Sequence, residues 1–232
     1  MNKGSRVWAV VPVKALANAK MRLADVLSAN QRSMLARAML QDVLSALTGC
    51  RSLDDIIVVS ADAEAARVAH EFDAKVLPEP ASGLNAAIGS AVEFIGREPG
   101  TTMLVVPADV PHITAAIVDT AVTALNNAGS VVLVRATRDG GTNLFGCNPA
   151  SALQPSFGPD SYARHRSTAE GLSLHVASLH DDALGLDLDQ PADLEGFLTL
   201  HSLTRTDRLL RDWKLDTDLL DSHARSLPQV SA

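Results

Sequence analysis

Val7-Trp8-Ala9-Val10-Val11-Pro12-Val13 runs straight into Lys14-Ala15-Leu16-Ala17-Asn18-Ala19-Lys20-Met21-Arg22. The first half is apolar and rich in β-branched residues, which predicts a buried strand over 7–13. The second half is a loop carrying Lys14, Lys20 and Arg22 before any helix begins. Three cations beyond the end of a buried strand suit an anion. Because the chain as a whole has a formal net charge of -7, that anion reads as a phosphorylated small molecule and not a nucleic acid. Taken alone, the loop reads equally well as solvated surface with ordinary lysines.

Working outward, Ser28 and Gln31 have the spacing of a capping box. Met34, Leu35, Ala38, Met39, Val43, Leu44 and Leu47 then recur at helical spacing until Gly49. A strand over 56–60, a helix over 62–72 and a short strand over 75–77 follow, the last closed by Pro78 and Pro80. Next come a helix over 83–95, a strand over 102–106, a helix over 114–126 capped by Thr114, and a strand over 131–135. Strands alternating with helices of this length predict an α/β fold, a single Rossmann-like domain with a mostly parallel, doubly wound sheet and helices on both faces. From Arg138 the pattern changes. Gly140-Gly141 and the segment 142–147 read as a turn and an irregular or antiparallel strand elaborating one sheet edge, followed by the turn-rich 155–160. A helix over 161–170, a strand over 172–178, an acidic segment over 181–189 and a helix starting at Pro191 complete a domain spanning 1–204. Residues 205–232 read as an amphipathic helical tail, through Leu209, Leu210, Trp213, Leu219 and Leu220, with a disordered end.

At 232 residues, 47% hydrophobic and 20% charged, the chain is long enough for one sizeable core. No apolar run approaches the roughly 20 residues that cross a bilayer, and no signal-type region precedes the first strand, so a cytoplasmic protein without a membrane partner is expected. Cys50 and Cys147 have no metal or disulfide spacing, and aromatic residues at 3% argue against stacking on nucleic acid.

In open α/β sheets ligands bind beyond the carboxyl ends of the strands. Asp109 falls there, between Pro107 and Pro111, and Asp187 and Asp189 precede the last helix of the domain. Asp187 and Asp189 alternate with Leu186 and Leu188, so in an extended segment both carboxylates face one side. Carboxylates opposite a basic loop are what a magnesium-dependent phosphate reaction requires. Each also has a plainer reading: Asp109 as a turn residue, Asp187 and Asp189 as a solvated loop beside a helix N-terminus. Gly83-Leu84-Asn85 places free N–H groups and an amide at a helix start, where a base or ribose is readable. Gly140-Gly141-Thr142-Asn143 and Phe157-Gly158-Pro159-Asp160-Ser161 are two glycine-plus-hydroxyl clusters able to approach a small phosphate or carboxylate. His165 lies beside the second.

Six motifs in order, Val11-Pro12-Val13-Lys14 with Lys20 and Arg22-Leu23, Gly83-Leu84-Asn85-Ala86-Ala87, Pro107-Ala108-Asp109-Val110-Pro111, Asp139-Gly140-Gly141-Thr142-Asn143, Phe157-Gly158-Pro159-Asp160-Ser161 and Leu186-Asp187-Leu188-Asp189, span most of 7–198. The chain thereby resembles the guanylyltransferases of coenzyme F-420 biosynthesis, which act on 2-phospho-L-lactate, phosphoenolpyruvate or 3-phospho-D-glycerate and are related to molybdenum-cofactor-type nucleotidyltransferases. Asp160 and Tyr162 stand where a small residue and a phenylalanine are more usual. The resemblance implies that Lys14, Lys20 and Arg22 attend the triphosphate of GTP and that Pro12, Val13, Gly83, Leu84, Asn85 and Asp109 border the nucleotide. It further implies that Thr142, Gly158 and Ser161 contact the phosphorylated acid, and that Asp109, Asp187 and Asp189 hold Mg2+.

The expected reaction is transfer of GMP from GTP to the acid's phosphate with release of pyrophosphate. Exposed loop cations contribute little to stability, so alanine at Lys20 or Arg22 is expected to lower turnover by orders of magnitude and leave the fold intact. A sugar- or pterin-cofactor nucleotidyltransferase and a noncatalytic nucleotide-binding regulator are the other readings. The tail leaves open a homodimer, or a partner enzyme that takes the product directly.

Overall fold

The computed structural model describes residues 6–79, 83–97, 100–200 and 202–214. Strand β1 (Val7–Pro12) is followed by two single 3-10 turns, Leu16–Asn18 and Met21–Leu23, in what the sequence reads as plain loop. Helix α1 (Ala29–Thr48) begins where predicted. The Ser28 hydroxyl accepts the Gln31 N–H, and the Gln31 side chain returns to the Ser28 N–H at 3.0 Å. Then come β2 (Asp55–Val59), α2 (Ala63–Glu71), β3 (Lys75–Leu77), α3 (Leu84–Ile95), β4 (Thr102–Val105), α4 (Ala115–Ala124) and β5 (Ser130–Arg135). Asp62 caps α2 through two backbone N–H groups, and Thr114 caps α4.

The remaining elements are β6 (Thr142–Asn148), α5 (Ser161–Gly171), β7 (His175–Leu179), α6 (Pro191–Thr199) and α7 (Arg205–Asp212). The seven strands form one sheet in the order β3-β2-β1-β4-β6-β5-β7. All pairings are parallel except those of β6, which is antiparallel to β4 on one side and β5 on the other. The segment read as an edge elaboration is therefore an interior strand. Its residues from Thr142 to Cys147 are all buried because both sheet faces are covered there. Gly146 is required at its centre: a Cβ would sit 2.5 Å from Val132 Cγ1 and 2.7 Å from Leu125 Cδ1. Strand β7 starts three residues later than predicted, because residues 172–174 close α5 instead, with Ser173 at φ 57°.

Alternation along β1 builds two cores. Ala9 and Val11 face the layer of α1, α2, α4 and α6, while Trp8 and Val10 face that of α3 and α5. Helix α7 packs on α1, and Leu210 joins the larger core. Its first turn is held by the buried Asp42 of α1, whose carboxylate accepts the Arg205 N–H (2.8 Å), the Thr206 N–H (2.8 Å) and the Thr206 hydroxyl (2.7 Å). Leu219, Leu220 and the expected disordered end lie outside the described residues. Among the described residues no helix is long and apolar enough to cross a membrane, and Cys50 and Cys147 are buried free thiols.

Candidate active site

The carboxyl ends of β1 and β4 open on a cavity of about 470 Å3. Of the residues singled out from sequence, Pro12, Val13, Lys14, Lys20, Arg22, Leu84, Asp109 and Asp189 line it. Two features of β1 explain this placement. The strand ends at Pro12, and the Val13 N–H still bonds the Val59 carbonyl at 2.9 Å, so the chain leaves the sheet only at Lys14. It then turns back at Lys20, which holds a left-handed backbone (φ 56°, ψ 42°) uncommon for a residue with a side chain.

That turn drives Lys20 inward. Its Nζ lies 2.7 Å from Asp109 Oδ2 and 3.7 Å from Asp189 Oδ1, with the Lys20 side chain only 8% exposed. Lys20 is therefore not the exposed loop cation the sequence suggested. Arg22 is, at 63% exposure, and it reaches Asp189 Oδ2 at 2.7 Å. Lys14 is exposed at the cavity rim and makes no ion pair among the described residues.

The Asp187–Asp189 segment is fixed from three directions. The Leu188 N–H bonds the Asp109 carbonyl at 3.1 Å, which joins the two acid-bearing loops directly. Asp193 Oδ2 accepts the Asp189 and Gln190 N–H groups at 2.9 and 2.7 Å and so anchors the start of α6. Buried Asn143 on β6 donates to the Leu184 and Gly185 carbonyls at 2.9 and 3.1 Å. Arg138, which the sequence reading passed over, completes the cluster: it reaches Asp187 at 2.6 Å, Asp189 at 3.3 Å and Asp193 at 3.8 Å. Its only sequence signal is a position just ahead of the Gly140-Gly141 turn.

Cations and carboxylates thus alternate from Lys20, Arg22, Asp109 and Asp189, which line the cavity, to Arg138 and Asp187, which do not. Burial, then the neighbouring Asp109, raises the Asp187 carboxyl to about 6, against the pull of Arg138. Burial also pushes Asp189 upward, but Lys20, Arg138 and Arg22 outweigh it and hold that carboxyl below its ordinary range. Among the described residues no three acidic, histidine or cysteine side chains gather into a metal cluster, because cations interleave the three aspartates. The donor set nonetheless fits magnesium, which takes hard oxygen ligands from one or two carboxylates plus substrate phosphates rather than a closed protein cage.

The two glycine-plus-hydroxyl clusters meet in space. The Tyr162 N–H bonds the Gly140 carbonyl at 3.1 Å, and the Asp160 N–H bonds the Asp139 carbonyl at 3.2 Å. Gly158 adopts φ 134°, which only glycine takes without strain. Thr142 Oγ1 and Ser161 Oγ are 3.0 Å apart, and both residues are buried. Asn85 does not leave its amide free as expected. Its Oδ1 accepts the Phe157 N–H at 2.8 Å and its Nδ2 donates to the Phe157 carbonyl at 3.2 Å, which ties α3 to the turn that carries Gly158. Gly83 precedes α3 with φ 93°.

A family model described as guanylyl transferase, CofC-like, matches residues 7–229. The chain belongs to this family. A phosphoenolpyruvate guanylyltransferase of Sphaerobacter thermophilus is 39% identical over 81% of this chain and 90% of that protein. A 3-phospho-D-glycerate guanylyltransferase of Phenylobacterium zucineum is 36% identical over 80% of this chain and 86% of that protein. In fold, the CofC-like chain is similar to a solved protein of Desulfovibrio desulfuricans G20, with TM-score 0.75, 19% identity and coverage of 94% and 98% of the two chains. It is similar also to a nucleotidyl transferase from Methanothermobacter, with TM-score 0.62, 14% identity and coverage of 90% and 100%. The fold is accordingly the Rossmann-like nucleotidyltransferase fold, and the protein is a nucleotidyltransferase of the guanylyltransferase kind.

Proposed function

We propose that this protein transfers GMP from GTP to the phosphate of a small phosphorylated carboxylic acid, 2-phospho-L-lactate, phosphoenolpyruvate or 3-phospho-D-glycerate, as a step of coenzyme F-420 biosynthesis. The observation that carries the reading is the alternating floor of Lys20, Arg22 and Arg138 with Asp109, Asp187 and Asp189, built beside a cavity at the carboxyl ends of β1 and β4. The names of the two relatives, one for phosphoenolpyruvate and one for 3-phospho-D-glycerate, support the substrate class and leave the choice to assay.

In this mechanism an oxygen of the acceptor phosphate attacks the α-phosphorus of GTP. A new P–O bond forms, the bond to the bridging α–β oxygen breaks, and pyrophosphate leaves with that electron pair. A phosphate monoester is already anionic near neutral pH, with a second pKa of about 6, so no general base is required. The work of the chain is positioning and charge neutralisation. Lys20, Arg22 and the rim cation Lys14 take up charge on the leaving pyrophosphate. Pro12, Val13, Gly83, Leu84 and Asn85 border the guanosine, and Arg138 orients Asp187 and Asp189. Thr142, Gly158 and Ser161 form the acceptor side. Asp109, Asp187 and Asp189 would hold Mg2+, which when bound supplies Lewis-acid stabilisation of phosphoryl charge.

The test is pyrophosphate release from the purified protein with magnesium and GTP, each acid supplied separately, and ATP and CTP as controls. Release with GTP and an acid, abolished by EDTA and restored by magnesium, is the expected result. Tight GTP binding with no release on any of the three acids would overturn it.

A further inference from the structure

His165 of α5 is 1% exposed and lies between two aromatic rings, Phe145 at 4.9 Å and Phe157 at 5.3 Å between centroids. Its two nitrogens reach the turn before α5 and the start of β6. Nε2 accepts the Ser156 N–H at 2.8 Å. A backbone amide only donates, so Nε2 is the bare nitrogen of a neutral ring and the proton sits on Nδ1. Nδ1–H then donates to Thr142 Oγ1 at 3.0 Å, and that oxygen lies 3.0 Å from Ser161 Oγ. Burial, with Arg164 adding to it, lowers the ring to about 4, which keeps it neutral under ordinary conditions.

The imidazole and the two hydroxyls carry three protons between them, and the two contacts use two. One O–H is left over as a donor, whichever hydroxyl carries it. The turn over that donor is the one His165 also holds: Ser156 is bonded to the ring, and the Gly158 carbonyl accepts the Ser161 N–H at 3.1 Å. One buried side chain thus both leaves the hydroxyl pair with a surplus proton and holds the turn that leads to Gly158.

We propose that His165 is the positioning residue of the acceptor half-site, locking the Thr142–Ser161 pair as a hydrogen-bond donor toward an anionic oxygen and holding the Ser156–Gly158 turn in place over it. The inference rests on the guanylyl-transfer reading and adds to it a residue that touches neither substrate. It separates the two halves of the site: the ring serves the phosphorylated acid, while the cation floor serves the triphosphate.

The experiment measures KM for the acid and KM for GTP separately, by pyrophosphate release, in the wild type, His165→Ala, His165→Asn and Thr142→Val, with thermal unfolding of each. His165→Ala raises acceptor KM by about tenfold, the loss of one hydrogen bond of ordinary strength, and leaves GTP KM within about twofold. His165→Asn, whose amide reaches the Nδ1 position and donates to Thr142, recovers acceptor KM to within about threefold of wild type. Thr142→Val, which loses the hydroxyl itself, raises acceptor KM at least as far as His165→Ala, and the double variant costs less than the sum of the two, because His165 acts in part through that hydroxyl. Equal increases in both KM values, or no recovery in His165→Asn, would assign the ring a purely structural role and overturn the inference. Should His165→Ala fail to fold, an unchanged acceptor KM in Thr142→Val does the same. A wild-type protein silent on every acid removes the guanylyl-transfer reading itself.

Discussion

Replacing Lys20 by methionine keeps the aliphatic stem and deletes the ammonium that faces Asp109 and Asp189. Removing one partner of a fully buried pair costs about 3–5 kcal/mol, because the remaining charge is stranded. Here the side chains of Asp109 and Asp189 are 32% and 25% exposed, and Asp189 keeps Arg22 and Arg138. Solvent and the remaining cations therefore reduce the expected loss to about 1–2 kcal/mol. Arg22→Ala removes a side chain that is 63% exposed, and its cost stays within about 0.5 kcal/mol. The two cations thus part company in stability but not in catalysis. Loss of one charge-stabilising donor lowers kcat by about 10²–10³ in either variant. Urea unfolding monitored by circular dichroism gives the first quantity, and pyrophosphate release at saturating GTP and acid gives the second. Asp109→Asn added to Lys20→Met removes the stranded carboxylate and returns part of the stability while activity stays low. Equal stabilities for Lys20→Met and Arg22→Ala would refute the burial argument. Near-normal turnover in both would remove the basic loop from the reaction.

Three further outcomes follow from the packing. Gly146→Ala forces a methyl group against Val132, Leu125 and Leu104 inside the sheet, and urea unfolding should report a loss of about 1–3 kcal/mol; an unchanged midpoint would contradict the interior placement of β6. Asp42→Ala strands three donors at the start of α7, with an expected loss of about 3 kcal/mol, and limited proteolysis should cut near Arg205 before it cuts the sheet. His165 has a folded pKa near 4, below its unfolded value of about 6.5, so its contribution is complete above pH 6.5 and is lost as pH falls toward 4. Across that window the wild type should lose about 3 kcal/mol more than His165→Asn in paired urea titrations, and equal losses would count against a buried neutral ring.

Much of the site was legible residue by residue. The β-branched run before Pro12 announces a buried strand, Ser28 with Gln31 announces the start of α1, and the alternation of Leu186 and Leu188 with Asp187 and Asp189 predicts carboxylates on one face. Each of these is a local signal, carried by periodicity or by a cap within a few residues. Arg138 was not legible, because its partners lie about fifty residues downstream and nothing near it in sequence marks them. The burial of Lys20 was missed for a related reason. A lysine in a loop reads as solvated, and only the left-handed turn there directs it onto Asp109.

The sequence by itself determined the main strand and helix order, the Ser28 and Thr114 caps, the α/β class and the family of chemical groups at the strand ends, since these depend on interactions over a few residues. Tertiary structure alone decided where β6 sits, because a segment that mixes Thr142, Asn143 and Gly146 with apolar residues reads as an edge, and nothing local shows which strands flank it. It also decided that Asn85 clasps Phe157, that His165 joins Thr142 to Ser156, and that three cations interleave the aspartates. Those contacts are made between segments distant in the chain, and their energies exist only once the sheet has brought the segments together.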